Sequence, residues 1–191
     1  MQRSNAERVA NIRSRIMLAG SLFSAVGFAT VANAETIRIV AIGASNTSGV
    51  AVGASNAYPA ILEGMLKAKG YDANVVNAGV TAETSAQTLS RVDSVVAPGT
   101  KVVIYDVGAG NDSDSGEGAR TSANTAQIAA RIRARGAIAI NASKQSIVGS
   151  EKGNPSAWIA GDPHHHITAQ SQARLAASLL PKVIAAIGKA K

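Results

Sequence analysis

One segment, Asp162-Pro-His-His-His-Ile-Thr, holds every histidine of the chain. Imidazole takes and returns protons near neutrality, and a neighbouring carboxylate fixes its tautomer and stabilises the imidazolium. Imidazole and Asp also bind zinc. The segment therefore offers a proton shuttle, a metal site or simply a polar loop. Adjacent side chains on a loop diverge, and the chain has neither an H-x-x-x-H nor an H-E-x-x-H pairing, which places the metal site below the shuttle. With no cysteine, disulfides, iron–sulfur clusters and thiolate zinc sites are excluded.

A shuttle needs a nucleophile, and the elements of the chain say where to look. Short β-branched runs at 36–43, 73–79, 101–108 and 137–142 read as strands. Between and after them, apolar residues at helical spacing mark helices at 58–70, 84–96 and 123–136, and a last one from Thr168, which Pro181 should kink or divide. Apolar strands separated by helices imply a four- or five-stranded parallel sheet covered on both faces, an α/β fold of three α/β/α layers. Ligands of such sheets bind where the strands end. If the first strand lies between the second and third, the loops "GASNTSG", "NAGVTAETS" and "GAGND" meet there and bring Ser45, Gly79 and Asn111 together.

That trio has a chemical meaning. A serine hydroxyl attacks a carbonyl once a base takes its proton, and the resulting oxyanion needs preorganised donors. The backbone N–H groups of Ser45 and Gly79 and the carboxamide of Asn111 would supply three. Asp162 would orient the base. "GASNTSG" lacks the Lys of a phosphate loop and the spacing of a dinucleotide fingerprint. A flavodoxin-like phosphate loop remains, with few aromatics to sandwich a flavin. Trp158 either walls a substrate pocket or anchors its loop.

Four blocks in this order resemble the GDSL or SGNH hydrolases, a family of esterases and lipases. "IVAIGASNTSG" is similar to the nucleophile block, "VNAGVTAETSAQTLSRVD" and "AGND" to the oxyanion blocks, and "HITAQSQARLAASLLP" to the terminal block that follows an Asp. The resemblance spans nearly all of 35–191 and implies a flavodoxin-like fold. It also implies Ser45 as nucleophile, Ser45, Gly79 and Asn111 as oxyanion donors, Asp162 as the orienting acid and no cofactor. The family's D-x-x-H spacing, counted from Asp162, selects His165 as the base. Alignment with "HIT" and the helix start at Thr168 selects His166, which is preferred because the Pro163 side of the loop can absorb an insertion. His164 is left on the surface or behind the site. Ala44, Ala109 and Ser171 depart from the family pattern, as they would in a non-catalytic binding module of the same fold, the second reading; a metal-dependent hydrolase is the third. The resemblance implies a small-molecule ester as substrate, with short acyl or aryl esters, thioesters, acetylated sugars and lysophospholipids all open.

The first 34 residues read differently. Arg3, Arg8, Arg13 and Arg15 precede an apolar run of residues 16–32 that ends at Ala32-Asn33-Ala34. This is the pattern of a secretory signal cut after Ala34. Its Gly, Ser and Thr content and shortness argue against a membrane anchor. The expected mature chain, 35–191, suits one secreted or periplasmic domain. The whole chain carries +7, and removing the four Arg and one Glu of the leader leaves +4. That charge, without a basic cluster, argues against nucleic acid as a partner.

Overall fold

The computed structural model describes residues 35–190; the expected signal, 1–34, lies outside them. Their elements run β1 (Ile37–Gly43), α1 (Ser45–Ser48), α2 (Tyr58–Ala68), β2 (Ala73–Gly79), α3 (Ser85–Val95), β3 (Val102–Asp106), α4 (Ala109–Asp114), α5 (Thr121–Ala134), β4 (Ile138–Asn141), α6 (Lys144–Val148) and α7 (Ala169–Lys189). All strand pairings are parallel, in the order β2-β1-β3-β4. The sheet thus has four strands, with the first between the second and third as the site requires.

Alternation along β1 divides the core. Ile39 and Ala41 face one way, into a cluster with Leu62 and Leu66 of α2 and Leu175, Leu179 and Val183 of α7. Val40 and Ile42 face the other, against Val92 of α3 and Ile128 and Ile132 of α5. Burying such a side chain is worth about 1.5–3 kcal/mol. A strand with both faces buried must be apolar at every position, and Ile39 through Ile42 are completely buried.

Register then places the chemistry. Gly43, the last residue of β1, pairs with Gly79 on one side and Asp106 on the other, so all three strands end level. Ser45 begins the helix that follows at once. Pro181 does not divide the last helix: α7 runs unbroken through it. Pro181 and Ala177, whose carbonyl loses its helical partner, both face solvent, where water can satisfy that oxygen.

Candidate active site

Ser45 opens the four-residue helix α1 after Ala44, a cap without a side-chain hydrogen bond. Its backbone N–H, an orphan of a first helical turn, donates to no described residue, and its hydroxyl is likewise unpaired. A cavity of about 600 Å³ opens beside it, bordered by Asn111, Asp106, Lys144, Trp158 and His165. Lys144 Nζ lies 3.4 Å from Asp106 Oδ2, and both residues border the cavity.

The histidine loop is built around Asp162. Its Oδ1 accepts from the His164 N–H at 3.0 Å, and its Oδ2 accepts from the His166 N–H at 2.9 Å and His166 Nδ1 at 2.5 Å. Burial pulls the Asp162 carboxyl pKa upward, but the His164 and His166 amides and the His166 imidazole outweigh it and hold the group below its ordinary value. An ionised carboxylate only accepts, so Nδ1 carries a proton, and in the neutral imidazole Nε2 then presents its lone pair. His166 Nε2 is buried and makes no hydrogen bond to a described residue.

His165 is placed differently. Its backbone sits in the left-handed region at φ 53°, which turns its side chain outward to Glu151 Oε2 at 2.5 Å. That side chain is 67% exposed, against 9% for His166. This one backbone reversal sends the two imidazoles to different carboxylates. His164 is exposed.

Both ends of this loop are fastened. Trp158 and Ile167 form an antiparallel bridge, with Ile159 N–H donating to His166 O at 2.9 Å and Thr168 N–H to Ala157 O at 3.0 Å. Trp158 is at once wall and anchor: it borders the cavity and donates from Nε1 to Gly149 O at 3.2 Å. Thr168 caps α7 through Ser171 N, as expected of it. A buried clasp not expected from sequence joins the loop to the Ser45 turn. Ile167 N–H donates to Asn46 Oδ1 at 3.0 Å, Gln172 Nε2 to Asn46 O at 2.9 Å, and the Tyr58 N–H to Gln172 Oε1 at 2.9 Å. The neighbours of Ser45 and of His166 are therefore directly bonded.

The expected oxyanion donors fare unequally. Asn111 Nδ2 gives one hydrogen to Glu83 O at 2.8 Å and keeps a second. The Gly79 N–H is engaged already: it donates to Asn77 Oδ1 at 3.0 Å, an Asx turn readable from an Asn two residues before. Gly79 is small for another reason, since a Cβ there would lie 2.2 Å from Ser48 N. On the turn that follows, the N–H groups of Thr81 and Ala82 donate to no described residue, and Ala82 has φ 59°. The three departures have visible settings: Ala44 is buried, Ala109 is exposed, and the Ser171 hydroxyl accepts from Thr168 Oγ1 at 3.2 Å.

Comparison with known proteins gives a consistent picture. The profile of the GDSL-like Lipase/Acylhydrolase family matches residues 41–188. The chain is 31% identical over 124 residues to "Esterase TesA" of Pseudomonas aeruginosa, a match covering 64% of this chain and only 61% of that protein's length. A crystal structure of TesA superimposes with a TM-score of 0.62 at 22% identity, over 78% of this chain and 99% of the other, which shows the shared fold. AlinE4, described as an SGNH-hydrolase family esterase, gives 0.51 at 30% identity, over 56% of this chain and 59% of its own.

Proposed function

The chain belongs to the GDSL-like lipase/acylhydrolase family, and from that premise we propose that it is a serine esterase cleaving small carboxylic esters through an acyl-enzyme intermediate. The observation that carries this reading is the Asp162–His166 pair, with one imidazole nitrogen on the carboxylate and the other unpaired, bonded through its neighbour to the turn that bears Ser45.

In the proposed reaction His166 Nε2 takes the Ser45 proton as Oγ attacks the ester carbonyl. Asp162 stabilises the imidazolium, which returns its proton to the departing alcohol. Water, deprotonated by the same nitrogen, then releases the acid and restores Ser45. The oxyanion is met by the Ser45 N–H and the second hydrogen of Asn111 Nδ2. The Gly79 N–H, the third donor expected, is bound to Asn77 Oδ1 in this structure.

The test is p-nitrophenyl acetate hydrolysis with and without a chelator, by the wild type and by Ser45→Ala. Chelator-resistant activity that falls by about 10⁴-fold or more in the variant is expected. Comparable turnover by folded Ser45→Ala would sink the reading. The charge and apolar pattern of 1–34 further supports export to the periplasm or beyond, with the mature chain starting at Glu35. Mass spectrometry of the exported protein reads that end, and an intact leader on it would contradict export by cleavage.

A further inference from the structure

We propose that the pair formed by buried Glu83 and half-buried Arg91 is a positioning device for Asn111, an inference that rests on the donor role given to Asn111 above. An oxyanion donor works by its aim, and a carboxamide is free to turn about its side-chain bonds unless something holds it. What holds Asn111 is the Glu83 carbonyl, which accepts one of its two amide hydrogens at 2.8 Å and so directs the other.

The fold makes room for that bond. A Cβ on Gly108 would lie 2.2 Å from Glu83 O and 2.7 Å from Asn111 Nδ2. Gly108 has φ −77°, a conformation open to any residue, so it is the space above its Cα that requires glycine. Asp112, which follows Asn111, is moored near Glu83 through Oδ1, which accepts from Ser85 N–H at 2.6 Å, and to the start of α5 through Oδ2, which accepts from Thr121 Oγ1 at 2.5 Å.

The Glu83 carbonyl is only as well placed as Glu83 itself, which follows Ala82 in its left-handed conformation. The Glu83 carboxylate is buried and accepts from Arg91 Nε, from Arg91 Nη2 at 2.6 Å and from Thr88 Oγ1 at 2.8 Å. Arg91 Nη2 also donates to Ala78 O at 2.7 Å and reaches Gly43 O at 3.4 Å. One guanidinium on α3 thus ties the end of β1, two residues before Ser45, to the end of β2 and to the turn that aims Asn111. Buried ion pairs add little net stability over well-packed apolar residues of the same volume. What this one supplies is a fixed distance between the nucleophile turn and the oxyanion donor.

A double-mutant cycle on the full chain tests this with p-nitrophenyl acetate. Arg91→Ala should lower kcat about 10-fold with KM changed less than about twofold, whereas in an Asn111→Ala background the same change should lower kcat less than about twofold. A merely structural pair would lose activity equally in both backgrounds, and that result overturns the proposal. Full kcat from Asn111→Ala alone would instead overturn the donor role of Asn111, with Ser45 still essential. Should Arg91→Ala fail to fold, Thr88→Val removes one hydrogen bond to Glu83 while keeping the side-chain shape. It should lower kcat about threefold with Asn111 present and leave it unchanged without. Equal effects in the two backgrounds again overturn the assignment.

Discussion

The two sides of the site are held by different means. The histidine loop organises itself: Asp162 bonds the backbone two and four residues on, and a short bridge closes the stem. The donor side is assembled from afar, with Asn111 held by Glu83 28 positions away, and Glu83 by Arg91 on a separate helix. A self-contained loop localises damage, because changing one member disturbs one proton transfer. An assembled site spreads it, because its geometry is shared among elements that must all be in place.

The sharpest way to break this comparison lies in the self-contained loop. His166→Ala should cost about 10³–10⁴-fold in kcat, and His165→Ala, which loses an exposed contact to Glu151 on the cavity border, less than about threefold. Equal residual rates would mean that the backbone reversal at His165 does not select between them.

A smaller effect concerns stability. The hydrogen bonds that lower the Asp162 pKa favour its ionised form in the folded state, so their stabilisation is fully present above the ordinary carboxylate range and is lost as pH falls through the lowered value. At pH 7 Asp162→Asn should therefore lower Tm by about 3–6 °C. The gap to wild type should close in acid below the usual carboxylate range, as thermal melts across pH would show. A gap that widened there would reverse the sign.

The smallest effect compares like with like, since each side carries one non-glycine residue in the left-handed region, His165 at φ 53° and Ala82 at φ 59°. Ala82→Gly and His165→Gly should each raise Tm by about 1–2 °C with kcat within about twofold. A fall in Tm would show that these side chains stabilise their turns.

Much of this was legible in the residues. The four strands followed from β-branched runs separated by helical spacing; their order was only the condition for Ser45 and Asn111 to meet, and the fold meets it. The short helices α1, α4 and α6 were not, because four to six residues carry too little periodicity to register. Spacing could frame the choice between His165 and His166, but where each imidazole lies depends on one backbone dihedral and on Glu151, 14 positions from His165. Gly79 invited an oxyanion role as a glycine at the end of a strand; its close contact with Ser48 had no signal in the sequence. The Asn46–Ile167 clasp and the Glu83–Arg91 pair have no local signature, since each joins ordinary polar residues that only the folded chain brings together.

The Asn46–Ile167 clasp closes a span of 121 residues, so the order of synthesis bears on when the protein can act. Contacts of such separation form late, after the loop between them has been closed. A nascent chain that has made α1 but not α7 holds a serine without its base. On the proposed mechanism, hydrolytic competence is the last property the chain acquires, and appearance of ester turnover during refolding would time the docking of its C-terminal helix.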